Sequence, residues 1–256
     1  MSVHAMSPAR VNDPVTQAKI DLAAAHRLAV MHGLDEGIDN HFTVTVPDCN
    51  DRYLILPFGL HWSEARASDM IVFDDDGATL EGSGVAELSA VCIHAPIHRI
   101  AGARVVLHTH QTWTLALNML EDNRLIPSSQ TAAYFHGRVA YDDTYTGTAD
   151  FAEEGERLAR MLAPGQHTMF MKNHGLLVTG ETVAQAYRRL YLIERICQAQ
   201  VLAMSTGRAL LALSDEIIAQ VQAPAEHDQF PREERERLFL DAMKRVLDRD
   251  HPGYAS

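Results

Sequence analysis

Two short apolar runs that close on histidine constrain this chain more than any other feature. The residues Arg104-Val105-Val106-Leu107-His108-Thr109-His110 form the first, ending in two histidines one residue apart. A β-strand repeats its side-chain direction every second residue, so His108 and His110 project from one face. Two imidazoles side by side on a rigid element supply most of a common divalent-metal site. The run from Met169 to Val178 presents a third, His174, on a second strand and directly before Gly175. From the pattern alone, His108, His110 and His174 are candidates to hold one metal ion. The competing reading of any one histidine is a hydrogen-bonded structural residue. The pair on one face weighs against it, because two structural imidazoles would need separate partners. Three neutral imidazoles leave a coordination position open, as in catalytic rather than structural sites.

The length of 256 residues suffices for one large domain with a well-buried core. With 34 acidic and 22 basic side chains the formal charge is −12. That balance argues against a nucleic-acid or anionic-membrane partner, since phosphate backbones need clustered Lys and Arg. The three cysteines, Cys49, Cys92 and Cys197, stand far apart in no ligand pattern and read as reduced thiols. Met1 to Asp13 lacks the apolar core of a signal peptide, and no apolar run approaches the roughly 18 residues that span a bilayer. The expected setting is cytoplasmic.

Pro14 to Gly33 reads as a helix. Pro14 suits a first-turn position, Ile20, Leu22, Ala23, Leu28, Val30 and Met31 form a broad apolar stripe, and Gly33 stops it. His41–Val46, Tyr53–Leu56 and Asp69–Phe73 read as short strands, the first two separated by the turn-forming Pro47 to Asp51. Glu87–Arg99 reads as a helix before the His108 strand, and Thr112–Leu120 as one after it. Tyr134–Thr148 is a polar and aromatic stretch with no assigned element. Asp150–Leu162 reads as a helix bounded by Pro164-Gly165, and the His174 strand follows. Thr182 opens a long helix to about Ser205, with Thr182 and Gln185 at capping-box spacing. Residues 214–222 and 231–249 read as two further helices, joined by a polar linker around Pro224 to Gln229. Short strands between helices predict one α/β domain of three layers over residues 1–256, with 207–256 a peripheral C-terminal helical segment. His94 and His98, four apart on a helix, read as packing residues rather than a second metal pair.

At this point the chain resembles the class II aldolase/adducin family, over about residue 15 to residue 205. The matching residues are Asn40-His41-Phe42-Thr43, Leu56-Pro57-Phe58-Gly59 with Ser68-Asp69-Met70-Ile71-Val72, Ile93-His94-Ala95-Pro96-Ile97-His98-Arg99, the His108-Thr109-His110 strand and Lys172-Asn173-His174-Gly175-Leu176-Leu177. Glu181 to Gln200 resembles the helix that follows the last motif. The resemblance implies a three-layer α/β/α fold with a central, largely antiparallel sheet, usually assembled as a homotetramer. By motif match it assigns the metal ligands to His108, His110 and His174, with one divalent ion per chain. Zinc is expected first, with manganese, iron or cobalt as alternatives, because three imidazoles accept any of them.

The chain departs from the sugar-phosphate aldolases at the positions that grip phosphate. Their Thr-Pro-Ser-Gly segment is Leu56-Pro57-Phe58-Gly59 here, so both hydroxyls are gone. The asparagine of their Gly-Asn segment is met by His41, and their Ser-Ser-Glu has no clean match. An anionic phosphate needs several N–H or O–H donors, so the expected substrate is a small acid without a phosphate ester. Phe58, His61 and Trp62 either fill the core or line a flatter, less polar pocket. On the second reading Asn40, Phe58, Gly59 and Trp62 contact the substrate, and His61 is available to a carboxylate or phenol oxygen. The Pro-Phe-Gly-Leu-His pattern places the chain nearer the adducin-like branch. A gap-free match puts Ala90 where the aldolases carry their catalytic acid. Glu87, three residues earlier, shares roughly the same helical face. The candidates for proton transfer are therefore Glu87, His41, His61 and Tyr134.

Three functions compete on these residues. The first is a divalent-metal-dependent lyase that cleaves a carbon–carbon bond in a hydroxy- or keto-acid, with decarboxylation ahead of aldol cleavage. The second is a non-heme iron oxygenase on the same scaffold, and the third a non-catalytic adducin-like assembly module. The intact histidine triad weighs against the third.

Overall fold

The central strands bury both faces, which is why they are apolar at nearly every position. The computed structural model describes residues 11–147, 151–223 and 229–256. Its strands are β1 (His41–Thr45), β2 (Arg52–Ile55), β3 (Ile71–Asp74), β4 (Thr79–Glu81), β5 (Val105–Thr109), β6 (Val139–Asp142), β7 (Thr168–Met171) and β8 (Gly175–Gly180). They form one sheet in the order β4-β3-β2-β1-β5-β8-β7-β6. Every neighbouring pair is antiparallel except β6 and β7. The helices are α1 (Pro14–His32), α2 (Leu88–Ala101), α3 (Thr112–Asn118), α4 (Gln130–Phe135), α5 (Ala152–Met161), α6 (Val183–Met204), α7 (Asp215–Gln222) and α8 (Arg232–Asp250).

Alternation along the strands sorts the residues into two layers. Val105 and Leu107 of β5 join Phe42, Val44, Leu176 and Val178 in the main core, with Leu22 and Leu28 of α1 and Leu190 and Ile193 of α6. Val106 faces the other way, with Met169, Met171 and Leu177, against Ile93 and Ile97 of α2 and Leu158 of α5. The result is the expected three-layer α/β/α arrangement around a largely antiparallel sheet. Counting by two from Val106 puts His108 on the α2 side. The segment expected at the C-terminal periphery sends α8 onto α1 and α6, with Leu240 and Leu247 in the main core.

Local signals set the element ends. Asp13 caps α1 by accepting from the Thr16 N–H, and Gly33, at φ 66°, closes it. Thr182 accepts from the Gln185 N–H, but the Gln185 side chain accepts from the Glu181 N–H rather than completing a box with Thr182. The start of α3 is capped from a distance, since the buried Glu194 of α6 accepts from the N–H groups of Trp113 and Thr114 and from the Thr114 hydroxyl. This fixes the chain just after His110.

Three expectations are corrected. The run Met169 to Val178 is a hairpin rather than one strand, because Lys172-Asn173-His174 turn between β7 and β8 with Asn173 at φ 58°. Asparagine tolerates that left-handed conformation, so a polar pair inside an apolar run becomes the turn. The unassigned stretch that starts at Tyr134 begins in the last two residues of α4 and goes on to contain β6. Asp69 belongs to a short 3₁₀ turn, and β3 begins at Ile71. Residues 1–10, 148–150 and 224–228, including most of the polar N-terminus and most of the Pro224 linker, lie outside the described residues. No helix among the described residues is long and apolar enough to cross a membrane.

Candidate metal centre

The three predicted histidines come together at one end of the sheet. His108 stands on β5, His110 one residue beyond its end, and His174 at the last position of the β7–β8 turn. Their ring centroids are 4.8 to 4.9 Å apart in all three pairs. Ligand nitrogens from the three lie within 4.8 Å of one another, and among the described residues no second group of three or more such side chains converges in this way. Asn118 holds the turn in place, donating from Nδ2 to the Gly175 carbonyl at 2.8 Å and accepting at its carbonyl from the Asn173 N–H.

The donor set fits a cation. His108 Nδ1–H donates to the Leu176 carbonyl at 2.9 Å, and His110 Nδ1–H donates to Glu36 Oε2 at 2.5 Å. The two Nε2 atoms face each other at 3.1 Å, close enough to share one positive charge between them. Burial holds His108 well below its ordinary pKa and lowers His174 to about 4, so these two rings are neutral, as ligation requires. The outward partner of His110, Glu36, orients the ring.

The remaining predicted residues divide into those the fold brings to the cluster and those it does not. Asn40 sits beside it at φ 76°, buried, with Oδ1 accepting from the His110 N–H at 3.0 Å and Nδ2 lacking any partner. His41 pairs across the sheet with His108, ring centroids 5.1 Å apart. His41 and Asn40 line a small pocket together with Phe58, Trp62 and Glu87. Phe58 is half-exposed at the rim, followed by Gly59 at φ 99°. Trp62 is buried and packs on His26 and Phe42 at 4.8 and 4.6 Å, so most of it fills the core. His61 spends its Nδ1 on the short turn that begins there, accepting from the Ser63 N–H. Burial raises the Glu87 carboxyl, and the Asp39 charge adds to the shift; Ser89 Oγ lies 2.9 Å from Glu87 Oε1.

Tyr134 is not brought to the cluster. Its ring lies between the guanidinium groups of Arg138 and Arg232, at 4.6 and 5.1 Å, and lines a separate groove between α4, α6, α7 and α8. The tyrosine beside the histidines is Tyr145, whose ring is 6.2 Å from that of His174. Sequence reasoning missed Tyr145, Glu36 and Ser89. Glu36 gave no signal, since its role depends on a contact 74 residues along the chain. Ser89 was legible only as the residue before Ala90 in the family's Ser-Ser-Glu segment.

Comparison with known proteins agrees with this geometry. The family model described as class II aldolase and adducin N-terminal domain matches residues 20–201. PA3430 of Pseudomonas aeruginosa, named for class 2 aldolases, is 31% identical over 99% of this chain and 98% of its own length. Decarboxylase NovR of Streptomyces niveus is 31% identical over 77% of this chain and 75% of its own. A 4-hydroxy-3-prenylphenylpyruvate oxygenase/4-hydroxy-3-prenylbenzoate synthase of Streptomyces roseochromogenus is likewise 31% identical, over 78% of this chain and 74% of its own. Among solved structures, an aldolase II superfamily protein from Pseudomonas syringae superposes with a TM-score of 0.85 at 34% identity, covering 96% of this chain and 98% of that one. On its sequence match, its sheet order and its histidine cluster, the chain belongs to the class II aldolase and adducin N-terminal domain family.

Proposed function

We propose that this protein is a divalent-metal-dependent carbon–carbon lyase acting on a small hydroxy- or keto-acid that carries no phosphate ester. The observation that carries the reading is the convergence of the His108 and His110 Nε2 atoms with His174, beside an Asn40 amide that has no partner. His108, His110 and His174 hold the ion, with zinc expected first. When bound, the ion supplies Lewis-acid stabilisation of the charge that develops as a bond beside a carbonyl breaks.

The chain's own residues do the rest. Asn40 lines the pocket with a buried, unpartnered Nδ2 donor, and an uncompensated buried donor calls for an acceptor oxygen. Phe58 supplies an apolar rim where sugar-phosphate enzymes carry a hydroxyl, which favours an aromatic or other apolar acid. Glu87 and His41 stand at the same pocket as candidates for proton transfer, and Tyr145 stands beside His174. A tetramer is the expected assembly, and a cytoplasmic setting the expected location.

Decarboxylation is favoured over aldol cleavage because it needs no base to begin. The similarity to NovR supports that order. A second reading, an iron-dependent oxygenase, draws on the Streptomyces roseochromogenus relative and on the tolerance of three imidazoles for iron. An anaerobic screen of phosphate-free hydroxy- and keto-acids, read out for CO2 and aldehyde, separates them. Anaerobic CO2 release with zinc or manganese bound supports the lyase, whereas turnover that requires Fe(II) and consumes O2 replaces it.

A further inference from the structure

In a chain whose formal charge is −12, one groove has the opposite sign. It lies between α4, α6, α7 and α8 and has a volume of about 1070 Å³. Arg138, Arg188, Arg232 and Arg235 line it, and Glu233 is the one acid among its described lining residues. Parallel pairing of β6 and β7 sets Arg138 level with His167, each just before its strand, whereas His174 follows the far end of β7. Arg138 therefore stands at the opposite end of these strands from the histidine cluster.

The arginines lack the partners that such charges usually find. Among the described residues, Arg138, Arg188 and Arg232 have no carboxylate at ion-pair distance, and none of their N–H groups meets a hydrogen-bond acceptor. Arg138 and Arg232 instead meet the Tyr134 ring, at 4.6 and 5.1 Å. Those two distances keep the cations within about one Debye length (~10 Å) of each other, where like charges still repel. Arg189, next to Arg188 on α6, extends the positive field. It lines a second cavity with His167 and donates from Nη1 to the Thr179 carbonyl at 2.5 Å. Arg189 Nε and His167 Nε2 are buried with no partner. Burial lowers the His167 pKa to about 3, and the charges of Arg189, Arg138 and Arg232 all add to that shift. The carboxylate that bears on Arg189 is Glu236, which is buried and already accepts from Gln185 Nε2 at 3.0 Å. Glu233 and Glu236 are thus outnumbered by cations that bear on one another.

We infer that this groove is a second binding site, for a small organic molecule with a diphosphate group, in which Arg138, Arg188 and Arg232 hold the phosphates. Guanidinium forks match the paired oxygens of a phosphate, and an anion between them relieves their mutual repulsion. One phosphate is compact, whereas Arg138 and Arg232 are set apart by the Tyr134 ring, so two linked phosphates span them. Leu192, Ile217 and Val221 give the groove an apolar wall, which suits the organic remainder of the ligand rather than a bare ion. A nucleic acid is a poor fit, because its backbone would run on from the groove over a surface of net negative charge. The site stands independently of the lyase reading, whose substrate carries no phosphate ester.

The test is calorimetric titration of the purified protein with inorganic pyrophosphate, adenosine 5′-diphosphate and citrate. Both phosphates are expected to bind at one site per chain, the nucleotide more tightly, and citrate at least about tenfold more weakly than pyrophosphate. Arg138→Gln and Arg232→Gln are each expected to weaken pyrophosphate binding by at least about tenfold, the loss of one charge-assisted contact. His174→Ala, which disrupts the histidine cluster, is expected to leave it unchanged. Should the arginine variants fail to fold, the native protein decides: pyrophosphate is expected to shield Arg138, Arg188 and Arg232 from phenylglyoxal while the exposed Arg208 still reacts. Absence of pyrophosphate binding, its loss in His174→Ala, or no shielding of these three arginines overturns the site. Equal affinity for citrate overturns its phosphate character, and a nucleotide that binds no more tightly than pyrophosphate removes the apolar wall from it.

Discussion

Gly175 has no side chain where the His110 ring needs the space. A Cβ built on Gly175 would lie 2.7 Å from His110 Cδ2, 2.7 Å from the Thr109 carbonyl and 3.0 Å from His108 Cε1. Both imidazoles therefore reach their positions only because β8 begins with glycine. Gly175→Ala is expected to push the rings apart. Bound metal should fall well below one ion per chain, and stability should drop by about 1–3 kcal/mol, as for an overpacked core. Elemental analysis and denaturant midpoints measure both, and a fully loaded alanine variant would contradict the packing argument.

Removing a ligand should act on the metal before it acts on the fold. Purified protein is expected to carry close to one divalent ion per chain, and His108→Ala or His174→Ala to abolish it. His61→Ala serves as the control, because His61 is engaged in its own turn. Retention of metal in the His108 and His174 variants defeats the site assignment.

At the proposed metal site, Glu36 would act on the ion through His110. Glu36→Ala leaves the three ligands intact but takes away the acceptor 2.5 Å from His110 Nδ1. Metal affinity is expected to fall by about 10- to 100-fold, the range for the loss of a group that orients a ligand histidine. Competition with a chelator measures it.

Asn40→Asp separates binding from folding. Aspartate keeps the oxygen that accepts from the His110 N–H and tolerates φ 76°. It lacks the unpartnered Nδ2 donor and sets a charge against an acidic substrate. KM is expected to rise by at least about tenfold, equivalent to ~1.4 kcal/mol, with Tm nearly unchanged. An unaltered KM would remove Asn40 from the substrate pocket.

Acid should destabilise the protein through His26. This ring is buried under Trp62 and donates from Nδ1 to the Leu22 carbonyl at 2.8 Å, and burial lowers its pKa from 6.5 to about 4. Between those values the unfolded chain takes up a proton that the folded chain refuses. The stability His26 contributes is thus present above pH 6.5 and declines as pH falls towards 4, by on the order of 3 kcal/mol at most. His26→Gln is expected to flatten that part of the pH profile in urea titrations, and an unchanged slope would show that other groups control it.

Much of this protein was legible along the chain. The apolar character of β5, β7 and β8 announces strands buried on both faces, Pro14 and Gly33 bracket α1, and His108, His110 and His174 mark the histidine cluster. Each of these signals repeats or terminates within one element, so local geometry suffices to read it. What only the folded chain decided are the relations between elements: the hairpin that turns at Asn173, the placing of Tyr145 rather than Tyr134 beside His174, and the reach of Glu36 to His110. Those depend on strand register and on which helix covers which face, quantities fixed by the packing of the whole sheet and absent from any single segment.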